Sequence, residues 1–213
     1  MSKVQSSKCK IQNLLAQKQD VSTLSISELK NFFIAGLILI VFGVAARLVL
    51  EDLPNIEPIT LTAILAGVIF RNKLAALVPL AVVGITDVII GNTSILIFTW
   101  SAWLIIGFFG LILKRSKLTD FSFIFKFTGL GLAANLFFYL WTNFGVWLVG
   151  GLYTRTASGL IESYFMGLPF LEYQIFGNLI ILPIASFGLV ILKRQEVYQK
   201  ISKFLKVVYA NKN

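Results

Sequence analysis

The sequence of 213 residues contains no histidine and only one cysteine, Cys9. Histidine is the commonest protein metal ligand and the side chain best suited to proton transfer near neutral pH. A single cysteine cannot form an intrachain disulfide, and Cys9 lies in a polar N-terminal segment. These absences exclude metal sites and catalysis based on histidine or cysteine. We therefore expect no metal site and no cofactor.

Charged residues are also scarce, at 14% of the chain, whereas soluble domains carry about 25%. Hydrophobic residues make up 57%, and several apolar runs reach the ~20 residues that an α-helix needs to cross ~30 Å of hydrocarbon. The sequence has no Gly-x-x-x-x-Gly-Lys-[Ser/Thr] motif, so it contains no phosphate-binding loop of this type. The composition predicts one all-α, polytopic membrane domain.

The net charge of +9 is distributed in a way that argues against nucleic-acid binding. Lysine and arginine concentrate in both terminal segments and in turns at 71–73 and 114–117, between apolar runs. By the positive-inside rule this pattern predicts a multi-pass protein of the cell (inner) membrane with both termini in the cytoplasm. The acidic residues assigned to the external side are Glu51, Asp52, Glu57, Glu162 and Glu172.

The predicted organisation has three parts. Residues 1–30 form a polar cytoplasmic tail, residues 31–192 a six-helix transmembrane domain, and residues 193–213 a basic amphipathic tail that contacts anionic membrane lipid. The segment 150–169 is predicted to be a long external loop or a re-entrant segment. The apolar runs place the six crossings at about 31–50, 59–70, 74–91, 94–113, 127–149 and 171–192.

The second crossing is short, because residues 59–70 would extend only ~18 Å as an α-helix. Pro54 and Pro58 precede it. Either this helix begins inside the membrane, or the segment around Pro54 dips inward to complete the crossing. Non-helical backbone at that depth is tolerated where it lines a cavity. Asn55 is therefore a candidate ligand-binding residue on the external side.

Arg47 and Asp87 are predicted to lie at the same depth, since each is roughly 20 Å from the cytoplasmic end of its helix. A charge inside a membrane span is costly and indicates a function. Two interpretations stay open: the two residues form a structural ion pair, or they bind a ligand. Arg47 can also extend its guanidinium group to the membrane interface.

The stretch 139–178 combines many aromatic residues with amides and hydroxyls. This mixture suits a partly hydrated cavity, where rings pack against a ligand and amides orient it. Asn135, Tyr139, Asn143 and Trp147 follow one another at steps of four residues and so share a helix face. Tyr153 and Tyr164 follow as a predicted lid. The alternative is that such side chains only form interhelical hydrogen bonds and an aromatic belt. The residues predicted to lie at the same external depth, although they come from distant parts of the chain, are Arg47, Asn55, Asp87, Asn143 and Asn178. The predicted substrate-binding residues are Arg47, Asn55, Asp87, Asn143, Trp147, Tyr153, Tyr164 and Asn178.

The sequence also resembles a known family. The run AARLVLEDLPNIEPITLTAILAGVIFRNKLAALVPLAVVGITDVIIG (45–91) looks like the opening of a substrate-binding S component of energy-coupling-factor (ECF) vitamin transporters. TNFGVW (142–147), YTRTASGL (153–160) and GLPF (167–170) resemble an uncharacterised bacterial membrane family distantly related to those S components. The resemblance covers about 33–192 and implies a bundle of six helices with an outward-facing pocket for a vitamin-like nutrient. It also implies a separate membrane subunit and ATPase subunits that drive uptake.

The function that the sequence favours is that of a substrate-binding membrane subunit for uptake of a small organic nutrient, energised by partner subunits. The alternative is a structural or assembly membrane protein without transport activity, whose polar residues only hold its helices together. An enzyme is not expected, and no catalytic residue is predicted. Glu162 and Glu172 are the only plausible acid–base candidates on the external side, and no nucleophile or metal-binding arrangement accompanies them.

Overall fold

The computed structural model describes residues 26–50, 58–91 and 94–210. Within these ranges the chain forms six α-helices and no strand, which confirms the all-α prediction. Short 3-10 helices precede the third α-helix (Lys73–Ala76) and follow the fourth (Gly110–Arg115). The α-helices are α1 (Ile26–Val49), α2 (Pro58–Phe70), α3 (Leu77–Ile90), α4 (Leu96–Phe109), α5 (Ser122–Val149) and α6 (Ala157–Ala210).

Five helical segments in the described part of the chain are long and apolar enough to cross a bilayer. They are Phe32–Val49, Lys73–Ile90, Leu96–Arg115, Ser122–Val149 and Ala157–Gln199. The segment predicted as the second crossing is the helix α2, whose 13 residues extend about 20 Å, which is less than the ~30 Å of hydrocarbon. The preceding segment 51–57, which includes Asn55, lies outside the described residues.

The chain divides into two compact units, Met1–Ile38 and Leu39–Asn213, and the boundary falls inside α1. In the first unit, the described residues form the first part of α1, and Phe33, Ile34 and Leu37 are exposed. Large exposed apolar side chains on a helix are suited to contact with lipid tails. The second unit contains the other helices, and the contacts described below all lie within it.

Helix α2 is the most buried helix of the second unit. Ten of its 13 residues are buried, as expected for a helix that is apolar on all sides. Ile64 belongs to a core cluster with Phe127 of α5 and Leu182 of α6. Ile59 belongs to a second cluster that includes Trp103 of α4. This short helix is therefore surrounded by the longer ones.

Glycines allow the backbones around α2 to come into direct contact. A Cβ atom at Gly67 would overlap the backbone of Gly110, in the 3-10 helix that follows α4. A Cβ atom at Gly107 would lie 2.5 Å from the Cα atom of Ala76. Small residues at helix contacts in membranes permit this approach, and the close packing contributes to association. Glycine is therefore required where α2 meets the end of α4.

The sequence predicts an external loop or a re-entrant segment over 150–169. A loop is wrong for residues 157–169, because α6 has already begun at Ala157, and a re-entrant segment stays a prediction. Pro169 lies inside this helix. Residues 193–210, in the predicted amphipathic tail, continue α6, which has 54 residues and is about 81 Å long. The contact of this tail with membrane lipid stays a prediction.

The connection 150–156 has its own local interactions. The indole Nε1 of Trp147 donates to the carbonyl of Thr154 at 3.0 Å. The Oγ1 atom of Thr156 accepts from the backbone N–H of Gly159 at 3.3 Å, as the side chain of a helix N-cap residue does. This cap explains why α6 starts where it does.

Candidate functional site

Helix α5 packs against α6 through the face that carries Asn135, Tyr139 and Asn143. Asn135 Nδ2 donates to the backbone carbonyl of Gln174 at 3.1 Å. The Tyr139 hydroxyl donates to the backbone carbonyl of Tyr164 at 2.6 Å. Asn135 and Tyr139 are both buried. The spacing of four residues predicted this polar face, and the contacts with α6 confirm it.

A cavity of about 410 Å³ lies between α4, α5 and α6. Aromatic and aliphatic side chains form most of its wall, and hydroxyl and amide side chains form the rest. None of the described residues that line it is charged. The polar lining residues are Thr99, Tyr139, Thr142, Asn143 and Gln174, and the apolar ones include Phe138, Val146 and Phe170.

The hydrogen-bond donors in this wall are largely committed to backbone carbonyls. Thr99 Oγ1 donates at 3.0 Å, Thr142 Oγ1 at 2.8 Å and Asn143 Nδ2 at 2.8 Å. Each of these bonds runs to a carbonyl three or four residues earlier in the same helix. The oxygen atoms of the three side chains keep lone pairs with which they can accept a hydrogen bond.

A buried polar network lies next to the cavity and joins α2, α5 and α6. Asn135 Oδ1 accepts from Thr60 Oγ1 at 3.1 Å and from Asn178 Nδ2 at 3.2 Å. Each of these three residues is 1% exposed. With the bond from Asn135 Nδ2 to α6, one asparagine side chain connects three helices in a region without bulk water.

Two amide oxygens in this region have no hydrogen-bond partner among the described residues, namely Gln174 Oε1 and Asn178 Oδ1. Gln174 is only 4% exposed. Burying a polar atom without a partner costs about 1–3 kcal/mol, and most buried polar groups are therefore paired. Gln174, which has one of these unpaired oxygens, is also one of the residues that line the cavity.

Arg47 and Asp87 form an ion pair that joins α1 to α3, with Arg47 Nη1 3.0 Å from Asp87 Oδ1. Arg47 Nη1 also donates to the hydroxyl of Thr86. From α4, Trp100 Nε1 donates to Asp87 Oδ2 at 2.8 Å. Arg47 and Asp87 do not line the cavity between α4, α5 and α6. This arrangement favours the structural interpretation of the pair.

We expect Arg47→Ala and Asp87→Ala each to lower the thermal unfolding midpoint, because each removes one member of a largely buried ion pair. The double variant should lose less stability than the sum of the single losses, by a coupling free energy of about 0.5–3 kcal/mol. Thermal unfolding of the purified proteins, followed by tryptophan fluorescence, measures this coupling. Strictly additive losses would exclude a structural pair.

The predicted binding residues do not all lie at one depth. Asn143 lines the cavity, but Asn178 contacts Asn135, which precedes Asn143 by eight residues, or about 12 Å along α5. The prediction that Asn178 and Asn143 share a depth is therefore wrong. It placed the start of the last helix at residue 171, whereas α6 begins at Ala157.

Trp147 and the two residues of the predicted lid, Tyr153 and Tyr164, are not among the residues that line the cavity. Trp147 is bonded to the connection between α5 and α6. The Tyr164 hydroxyl donates to the backbone carbonyl of Leu140 at 3.3 Å, and its ring lies 5.8 Å from that of Tyr139. Tyr153 is half-buried in the connection. These contacts hold α5 to α6, and closure over a ligand stays a prediction.

Sequence reasoning missed Thr99, Thr142 and Gln174 as cavity residues. Gln174 carried a signal, since it is a polar residue one helical turn before Asn178 in an otherwise largely apolar run. Thr142 directly precedes Asn143. Thr99 had no comparable signal, because a threonine can satisfy its own hydroxyl within a helix.

In the part of the chain that the structure describes, no group of three or more Cys, Asp or Glu side chains is placed to hold a metal ion. No curated protein and no solved structure matches the chain. A family model matches residues 27–201, and its description, a family of unknown function (DUF6580), contains no statement about transport. Since the match covers most of the 213 residues, the chain belongs to this family of unknown function, DUF6580.

Proposed function

We propose that the protein is a substrate-binding membrane subunit for uptake of a small, partly polar organic nutrient. The observation that carries the proposal is the cavity of about 410 Å³, whose lining includes the buried residue Gln174, with an amide oxygen that has no hydrogen-bond partner among the described residues. Cavities that hold small organic molecules have volumes of about 300–1,000 Å³ and combine apolar walls with a few polar groups. The volume and lining of this cavity fall within that class.

A purely structural role accounts less well for Gln174. Side chains that only hold helices together form hydrogen bonds across them, as Asn178 does with Asn135. Asn178 Oδ1 is unpaired as well, but the Asn178 side chain donates across the helices through Nδ2, whereas Gln174 Oε1 forms no hydrogen bond in the described part of the chain. A methionine or leucine at this position would avoid the cost of burying an unpaired amide oxygen. Ligand binding supplies a reason for a glutamine here.

Uptake requires an energy source, and the sequence contains no phosphate-binding loop of the Gly-x-x-x-x-Gly-Lys-[Ser/Thr] type. We therefore propose that partner subunits of the ECF type, one membrane-embedded and the others ATPases, supply the energy. The resemblance to S components supports this division of roles. In this arrangement the basic end of α6 contacts anionic membrane lipid on the cytoplasmic side.

Native mass spectrometry of the detergent-solubilised, full-length protein should show a retained small molecule. The cavity-filling variant Val146→Trp should lack it, because Val146 lines the cavity. Leu136→Trp is the matched control, since Leu136 is 48% exposed on the same helix, and it should retain the molecule. A wild-type protein without any retained molecule, or equal retention in Val146→Trp, would contradict the proposal.

In the proposed topology the protein lies in the cell (inner) membrane, and both of its termini are in the cytoplasm. Reporter enzymes at the N-terminus, at Ser116 and after Asn213 should report cytoplasm, and one at Ser158 should report the external side. The pair of terminal reporters also tests α2. Reporters on the same side mean that α2 and the segment 51–57 complete a crossing, whereas reporters on opposite sides mean that only five helices cross.

A further inference from the structure

The side chains around the cavity offer more hydrogen-bond acceptors than donors. Thr99, Thr142 and Asn143 donate to carbonyls of their own helices, and the Tyr139 hydroxyl donates to a carbonyl of α6. The side-chain oxygens of Thr99, Thr142, Asn143 and Tyr139 keep lone pairs that can accept hydrogen bonds, whereas Gln174 Oε1 is fully buried. The NH₂ group of Gln174 adds a donor beside its oxygen. A ligand that fits this wall must mainly donate hydrogen bonds.

The charges around the cavity do not favour an anion. None of the described lining residues is charged, and Arg47, which does not line the cavity, is paired with Asp87. Moving a carboxylate into an apolar site without a positive partner is strongly unfavourable. The start of α4 near Ile95 has a positive dipole end, but this amounts to about half an elementary charge. A neutral ligand avoids the desolvation cost of an anion.

We infer that the cavity selects an uncharged organic molecule that donates hydrogen bonds, such as a primary amide or an alcohol, and rejects the corresponding carboxylate. A primary amide can both donate to the hydroxyl oxygens of Thr99 and Thr142 and accept from the Gln174 NH₂ group. The rings of Phe138 and Phe170 in the wall favour a flat, apolar body behind the polar group. This inference rests on the proposed function and narrows its class of substrate.

Benzamide, benzyl alcohol and benzoate test the inference, because they share one ring and differ in the polar group. Saturation-transfer NMR on the full-length protein in detergent measures the binding of each probe. Subtracting the saturation-transfer signal of Val146→Trp from that of wild type removes the contribution of probe molecules that only dissolve in the micelle. We expect benzamide and benzyl alcohol to bind the cavity, and benzoate to bind at least about tenfold more weakly.

Gln174→Met isolates the amide, because methionine keeps the length of the side chain and removes its polar atoms. The bond from Asn135 is unaffected, since it runs to the backbone carbonyl of Gln174. The variant should unfold at the same temperature as wild type or higher, yet bind benzamide about tenfold more weakly. Thr142→Val, which removes an acceptor from the cavity wall at almost constant volume, should also weaken benzamide binding and provides an independent test.

The outcomes separate the ligand class from the proposed function. Benzoate that binds the wild-type cavity as tightly as benzamide would overturn the inference and leave a binding function in place. Unchanged benzamide binding in both Gln174→Met and Thr142→Val would overturn the hydrogen bonds assigned between the probe and the cavity wall. If no probe distinguishes wild type from Val146→Trp, the inference is overturned, and the retained molecule in native mass spectrometry decides the proposed function separately.

Discussion

Gly67→Ala should lower the free energy of unfolding by about 1–3 kcal/mol or more. A Cβ atom at this position overlaps the backbone of Gly110, and backbone atoms cannot rotate away as the end of a side chain can. The added methyl group must therefore push α2 away from the 3-10 helix Gly110–Arg115. Since ten residues of α2 are buried, this displacement disturbs the packing on several sides. Thermal unfolding of the purified protein measures the loss.

Gly129→Ala is the matched control for this prediction. Gly129 also lies in a helix, but a Cβ atom there would meet no other atom within 4 Å. Alanine is favoured over glycine inside a helix by about 1 kcal/mol. The control should therefore be neutral or stabilising. Equal losses for Gly67→Ala and Gly129→Ala would contradict the contact between α2 and the end of α4.

Asn135→Leu should lower the free energy of unfolding by about 2–4 kcal/mol, since it removes three hydrogen bonds and leaves buried polar groups unpaired. The lost partners belong to three residues on two neighbouring helices: Thr60 of α2, and Gln174 and Asn178 of α6. The same thermal unfolding experiment measures the effect, with any co-purified small molecule removed beforehand so that only folding is compared.

Gln174→Met is the control that shows whether the stability loss in Asn135→Leu comes from the broken hydrogen bonds. Both variants replace a buried amide on the α5–α6 interface with an apolar side chain of similar size. Only Asn135→Leu breaks hydrogen bonds within the described protein, because Gln174 takes part through its backbone carbonyl. If Gln174→Met were the more destabilising of the two, the assignment of Asn135 to folding and Gln174 to binding would be wrong.

Local patterns in the sequence predicted those features that depend on a single helix. The apolar runs predicted all-α structure, and the spacing of Asn135, Tyr139 and Asn143 predicted the polar face of α5. The rise per residue along α1 and α3 predicted that Arg47 and Asp87 lie at the same depth, and in the structure they form an ion pair. Each of these predictions needed only the rise and periodicity of a helix.

The cavity could not be predicted in the same way. Its wall combines residues from α4, α5 and α6, so it depends on how far each helix is rotated about its axis. An error in the start of α6 moved Asn178 to the wrong depth, although Thr156, Ser158 and Gly159 carried a readable signal for a helix start. Tertiary packing decided that Gln174, and not Trp147, lines the cavity.

The two prolines of α6 have a mechanical consequence. Proline lacks an N–H group, so Pro169 and Pro183 cannot donate to the carbonyls of Phe165 and Leu179, and bending of a helix concentrates at such positions. Gln174 lies between them, on a stiff piece of about three and a half turns. Bending of α6 would thus concentrate at two positions, and the piece between them, which Asn135 ties to α5, would stay straight.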